Sequence, residues 1–84
     1  MPEEKVGQVL KFFAKPMVAA IDVTGGVIRV GDRLRFAGHT TDFEIEVSSI
    51  QEEHQSLEEA RAGQQIGIKV PDRVRAGDQV FKVN

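Results

Sequence analysis

Three copies of one short phrase constrain this chain more than any other feature: Arg29-Val30-Gly31-Asp32-Arg33-Leu34, Arg61-Ala62-Gly63-Gln64-Gln65-Ile66 and Arg75-Ala76-Gly77-Asp78-Gln79-Val80. Each runs Arg, small apolar, Gly, polar, any residue, aliphatic. A glycine in a constant place supplies the positive φ of a tight turn, and a polar side chain beside it steadies that turn by bonding to local backbone. Three matched turns, each opening a strand, predict an architecture. They do not predict a chemistry.

The rest of the chain alternates with a period of two, which is the signature of strands. Val6 to Phe13 forms a first strand ending at Lys15-Pro16, and Met17, Ala19, Ile21 and Val23 share one phase of a second, closed by Thr24-Gly25-Gly26. Leu34 and Phe36 share a face after the first phrase. Phe43, Ile45 and Val47 alternate with Glu44, Glu46 and Ser48, as a sheet with one wet face requires. The phase slips at Ser48-Ser49-Ile50, where a β-bulge would return Ile50 to the interior. Ser56-Leu57-Glu58-Glu59 fits a capping box, so one short helical turn is expected near Ser56 to Ala60. Ile66, Ile68 and Val70 mark a further strand, and Val80 to Val83 a last one.

Six or seven short strands with no amphipathic helix of useful length predict an all-β fold, a small closed antiparallel barrel. Closure would bury Leu10, Ile21, Leu34, Phe36, Ile45, Val47, Ile66, Ile68 and Val80 together and leave no unpaired sheet edge. At 84 residues the chain is a single domain, 1–84. It has no cysteine, which excludes disulfides and thiolate metal sites and fits a reducing cytoplasm. Met1-Pro2-Glu3-Glu4-Lys5 lacks a signal-peptide core, and no apolar run approaches the roughly 20 residues of a membrane helix. A soluble cytoplasmic protein is expected.

Net charge is −2, but the charges are unevenly placed. No Lys or Arg lies between Arg35 and Arg61, a stretch that carries Asp42, Glu44, Glu46, Glu52, Glu53, Glu58 and Glu59. Folded as one hairpin, it would give the domain an acidic edge and a basic remainder able to orient in the field of a polyanion.

The stretches from Gly26 to Leu34, from Glu59 to Ile68 and from Val74 to Val80 resemble, in order and spacing, the second domain of translational GTPases. Elongation factor Tu and initiation factor two are the familiar members, and the resemblance runs from about Val6 to Val83. It implies a Greek-key barrel of the translation-protein type. Gly38-His39-Thr40-Thr41-Asp42-Phe43 also resembles small stand-alone elongation-factor-like proteins, and the barrel is similar to the C-terminal domain attached to some U32-type peptidases. In the translation family this barrel contacts the acceptor end of tRNA or the ribosome. GTP is not implied, because no Gly-x-x-x-x-Gly-Lys-[Ser/Thr] loop occurs here to cradle phosphates.

Arg29, Arg61 and Arg75, with Lys15, Arg33, Arg35, Lys69 and Arg73, could form a phosphate-facing cluster, since a guanidinium bonds phosphate oxygens bidentately. The other reading makes them solvated turn residues paired with Asp32, Asp72, Asp78 and the acidic hairpin. Phe12 and Phe13 are adjacent on a strand, so one must face outward. Either a loop covers it or it marks a partner surface. His39 with Asp42, and Glu52, Glu53 and His54, lack the ligand spacing of a zinc site. No serine sits in a nucleophile elbow, so no catalytic residue, cofactor or metal is expected. The resemblance, together with the uneven charge, thus implies a non-enzymatic binding module docking on tRNA, ribosomal RNA or a translation-related protein. The alternative is a protein-interaction accessory subunit of a separately encoded enzyme.

Overall fold

In the computed structural model, which describes residues 3–83, all regular structure is β. Ten strands follow in chain order: β1 (Glu3–Phe13), β2 (Val18–Val23), β3 (Val27–Arg29), β4 (Arg33–Ala37), β5 (Asp42–Glu46), β6 (Ile50–Glu52), β7 (Gln55–Leu57), β8 (Glu59–Arg61), β9 (Gln65–Lys69) and β10 (Gln79–Val83). Among these residues no helix is long and apolar enough to cross a membrane.

One antiparallel ladder runs in the order β5-β4-β10-β1-β2-β9-β6-β7, and β3 and β8 form a separate pair. The long strand β1 is central. It pairs with β10 on one side and β2 on the other, and its register shifts once against each, between Lys5 and Gly7 and between Val9 and Lys11. Such irregularities bend a strand and increase its twist, which lets a small sheet curl around its own core. That core holds Val6, Val9, Ile21, Val23, Ile28, Leu34, Phe36, Val47, Ile50, Ile68, Val74 and Val80, all nearly or wholly shielded from solvent.

The three phrases fold into three congruent turns. In each, the Gly has φ near the same value, 95° at Gly31, 97° at Gly63 and 94° at Gly77. The N–H of Asp32, Gln64 and Asp78 donates back to the carbonyl of Arg29, Arg61 and Arg75 at 3.0, 3.1 and 3.0 Å. This is the type II pattern, which requires positive φ at its third residue. The polar side chain then closes the loop from the other direction. Asp32 Oδ2, Gln64 Oε1 and Asp78 Oδ2 accept the N–H of Arg29, Arg61 and Arg75 at 2.8, 2.6 and 2.9 Å.

Each turn is also docked on a neighbouring strand by the same pair of backbone bonds. The glycine N–H donates to the carbonyl of Val47, Val23 and Val9, at 2.8 Å in all three cases. Those valines donate in return to the carbonyls of Asp32, Gln64 and Asp78 at 2.8, 2.9 and 2.8 Å. The repeated phrase is therefore a backbone clamp that fastens one strand end to another, with its buried groups satisfied.

Several expectations need correction. The predicted closed barrel is not formed by one ladder, which stops at β5 and β7. Between them lie the β3–β8 pair and the first clamp, where Gly31 and Asp32 bond Val47 and the Val30 N–H bonds the Glu58 carbonyl at 3.0 Å. Ten strands replace the expected six or seven because β3, β6, β7 and β8 have three residues each, too few to show a period. No helical turn occurs at Ser56 to Ala60. Gln55–Leu57 pairs with β6 and Glu59–Arg61 with β3, so ladder pairing overrides the local capping preference. Ile50 is buried as expected, yet it starts a new strand instead of following a bulge. The turn between β6 and β7 places Glu53 and His54 at φ 50° and 68°, the hairpin geometry usually marked by Asn-Gly. With no glycine there, the hairpin is silent in the sequence.

Candidate functional site

The arginines of the three phrases do not converge. Cross-strand register sets Arg29 opposite Glu59, two residues before Arg61 on the same strand face. Both guanidinium groups therefore reach Glu59, Arg29 at 3.5 Å and Arg61 at 3.0 Å. Arg75 lies apart, in a cleft with Thr40, Thr41 and Arg73. On β4, Arg33 bonds Glu44 at 2.8 Å, and Arg35 bonds both Asp42 at 3.0 Å and Glu3 at 2.9 Å. Lys82 pairs with Asp32 at 3.1 Å. The expected division into an acidic edge and a basic remainder is thus not realised. β5 is acidic, but it pairs with β4, whose Arg33 and Arg35 bond two of its three carboxylates, Glu44 and Asp42.

These pairs leave an electrostatic imprint. Hydrogen bonding to Asp42, and then to Glu3, pushes the Arg35 guanidinium further above its ordinary value, so it stays charged. The bond from Arg61 holds the Glu59 carboxyl below the usual carboxylate range, with desolvation opposing it and the charges of Arg61 and Arg29 assisting. A depressed carboxyl contributes stability at pH above its unfolded value and loses it as pH falls through the folded value. Arg61→Ala is therefore expected to raise the Glu59 pKa toward the ordinary range, so that the pH-dependent contribution of Glu59 shrinks. A carboxyl-carbon NMR titration of both proteins checks it, and an unmoved Glu59 would refute the assignment.

Lys15, Lys69, Arg73 and Arg75 have no carboxylate within ion-pair distance among the described residues. Lys15 sits in the β1–β2 turn, where Met17 takes φ 55°, and Lys69 pairs with Val18 at the end of β9 beside the cleft formed by Ile45, Val70 and Pro71. The basic residues singled out from the sequence therefore fall into separate neighbourhoods. Only Arg73 and Arg75 share one without an ion pair.

Phe12 and Phe13 part as adjacent strand residues must. Phe12 packs against the core, whereas Phe13 remains 43% exposed, with Lys11 Nζ 5.1 Å from its ring centroid. Leu10, expected in the core, is 39% exposed instead. The register shift between Lys5 and Gly7 brings Val9 into phase with the interior, so its neighbour Leu10 faces outward. Leu10 and Phe13 border a groove with Val18, Ala20 and Gly67, walled on the far side by the β6–β7 hairpin tip. The sequence signal for this surface was Val9-Leu10, two consecutive aliphatics that cannot both face inward on a regular strand. No group of three or more His, Asp or Glu side chains able to hold a metal occurs among the described residues.

Comparison with known proteins gives this geometry its context. The chain is 35% identical over 78 residues to a collagenase of Porphyromonas gingivalis, across 92% of this chain and 22% of that protein. It is also 35% identical over 78 residues to a protein of Methanocaldococcus jannaschii named an uncharacterized protease, across 92% and 19%. The chain thus spans about a fifth of the length of these curated relatives. Among solved structures, the C-terminal domain of a chain described as a U32 peptidase of Geobacillus thermoleovorans superposes with a TM-score of 0.89. The identity is 25%, covering 96% of this chain and 93% of that one. GDP-bound aIF5B from Aeropyrum pernix matches with a TM-score of 0.64 and 24% identity, over 95% of this chain and 14% of that one, a likeness of fold. Residues 17–80 match the family model of elongation factor Tu domain 2, spanning all three clamps. By that match, the chain belongs to the elongation factor Tu domain 2 family.

Proposed function

We propose that this chain is a non-catalytic protein-interaction module that docks on an enzyme of the U32 peptidase class, using the Leu10–Phe13 groove. The observation that carries the reading is that Phe13 and Leu10 are exposed together on one groove, while the exposed Val30 stands alone at another cleft, in a fold whose likeness to a U32 peptidase C-terminal domain covers nearly all of both chains. An aromatic beside a small-residue groove suits an anchoring contact, because burying a ring on binding releases much water from a rigid side chain. The pairing of Arg29, Arg33, Arg35 and Arg61 with carboxylates supports a protein partner over a polyanion, since those guanidinium groups are already occupied.

Titration of the purified chain into a purified U32-type peptidase chain from the same cell, one lacking a barrel of its own, tests this. Saturable binding is expected, weakened about thirtyfold or more by Phe13→Ala, the scale of an aromatic anchor. Absence of a complex overturns the reading. A complex indifferent to both Leu10→Ala and Phe13→Ala removes the groove from it.

Docking on tRNA, ribosomal RNA or the ribosome is the second reading, favoured by family membership and by Arg73 and Arg75, which have no ion pair among the described residues. Co-sedimentation with ribosomes at two salt concentrations separates it from the first, because phosphate contacts lose affinity steeply with salt whereas a burial-driven contact does not.

A further inference from the structure

The ladder ends at β5, and the phase of its last pairing decides what that edge offers. Gly38 N–H bonds the Thr41 carbonyl and Val47 N–H bonds the Asp32 carbonyl, both at 2.8 Å. Successive residues of an antiparallel strand turn their peptide groups toward and away from the partner. Phe43 and Ile45 therefore turn theirs to β4, while Asp42, Glu44 and Glu46 turn theirs to the free side. Among the described residues no strand pairs with β5 there, and no turn or loop backbone bonds those three residues.

Across a cleft of about 420 Å³ from Glu44 and Glu46 stand Lys69, Val70 and Pro71, at and beyond the end of β9. Val70 donates to the Met17 carbonyl at 2.9 Å, on the β2 side, so the peptide groups of Lys69 face the opposite way. β6, which covers that side of β9, begins only opposite Ile68 and leaves Lys69 without a strand partner there. The core also comes nearest to solvent at this seam. Ile45, which lines the cleft, is 7% exposed, more than any other core side chain.

We infer that the free edge of β5 takes up an extended, basic segment of another protein as an added strand. The backbone of that segment bonds the free N–H and C=O groups of Asp42, Glu44 and Glu46, and its inward residues, small and apolar, lie against Ile45 and Val70. Charge selects the partner. Outer-face residues of the added strand stand about 5 Å from the row of Asp42, Glu44 and Glu46 and about 10 Å from Arg33 and Arg35 behind it, so the carboxylates act on them first. Glu46 has no ion pair among the described residues, because Arg33, opposite it in register, bonds Glu44 instead. Lys69 is the single cation lining the cleft, on the far wall. The same acidic row disfavours a second copy of this chain, since β5 on β5 in antiparallel register sets carboxylate against carboxylate. The inference goes beyond the docking proposed above and stands without it, because this cleft shares no lining residue with the Leu10–Phe13 groove.

The full chain, labelled with nitrogen-15, is titrated with a capped heptapeptide, Thr-Lys-Val-Lys-Val-Lys-Thr, and with the same peptide N-methylated at its lysines, which removes the donors that face β5. Saturable shifts are expected at the amides of Asp42, Glu44, Glu46 and Lys69. Hydrogen exchange at the first three should slow about fivefold or more at saturation, as they pass from solvent to a strand partner. The N-methylated peptide should not saturate. Glu46→Lys, an exposed change, should weaken binding about fivefold, the scale of one reversed cross-strand charge. Leu10→Ala and Phe13→Ala should leave it unchanged. The inference is overturned if the N-methylated peptide binds as well as its parent, if spermine reproduces both the shifts and the slowed exchange, or if no saturable shift reaches β5. Shifts at these amides that grow with protein concentration alone would make a second copy the occupant and overturn it equally.

Discussion

Phe36→Ala is expected to lower the unfolding free energy by about 3–5 kcal/mol, the range measured when a wholly buried aromatic is truncated in a packed core. Phe36 has no exposed surface, and β4 carries it between Phe43 on one side and Val80 on the other. Its ring stacks on Phe43 with centroids 5.4 Å apart. Truncation therefore removes both the transfer energy of the ring and the stacked contact, and the cavity cannot collapse because strands on both sides hold the backbone apart. A domain of this size has a total stability near the low end of about 5–15 kcal/mol, so the variant should retain only a small part of it. Urea denaturation measures it, as a large drop in midpoint with the slope preserved. Phe13→Ala provides the contrast, with a change of about 0.5 kcal/mol or less because the ring is exposed. Equal losses in the two variants would contradict the burial assigned to them.

Gly7→Ala is expected to be more damaging than alanine at any of the three clamp glycines, costing about 3 kcal/mol, at the upper end for overpacking. A Cβ there would stand 2.5 Å from the Asp22 carbonyl oxygen and 3.1 Å from Ile21 Cγ2. The carbonyl cannot retreat, since Asp22 belongs to β2, paired with β1 on one side and β9 on the other. Gly31, Gly63 and Gly77 have open space around them, so alanine in a clamp costs only the left-handed backbone, about 1–2 kcal/mol per site. Thermal or urea unfolding of the four alanine variants ranks the two mechanisms. A Gly7 variant milder than the three clamp variants would show that the close approach to Asp22 is relieved by strand movement.

How much was legible depended on the length over which a pattern had to persist. Ile21, Ile45 and Ile66 declared themselves through alternation over five residues or more, and all proved buried. β3, β7 and β8 were too short for any period, and the capping-box letters at Ser56 to Glu59 described a local preference that pairing with β6 and β3 overrode. Leu10 was misplaced for a related reason. Whether a residue faces in or out after a bulge depends on the partner strand, and the bulge that precedes Val9 is set by register against β10.

The candidate sites follow the same division. That one of Phe12 and Phe13 must be exposed was a local necessity of the strand. That Phe13 stands uncovered beside a groove floored by Ala20 and Gly67 required β2 and β9 to be placed. The thrice-written Arg-x-Gly phrase determined its own turns outright, because positive φ at glycine and a bond from the polar side chain to backbone two or three residues away are local physics. What it could not determine was the fate of its arginines. Charge pairing reaches across strands, so only tertiary structure could decide that Arg29 and Arg61 share Glu59 while Arg75, held by the same kind of turn, joins Arg73 in a separate cleft lined also by Asp42 and Asp72.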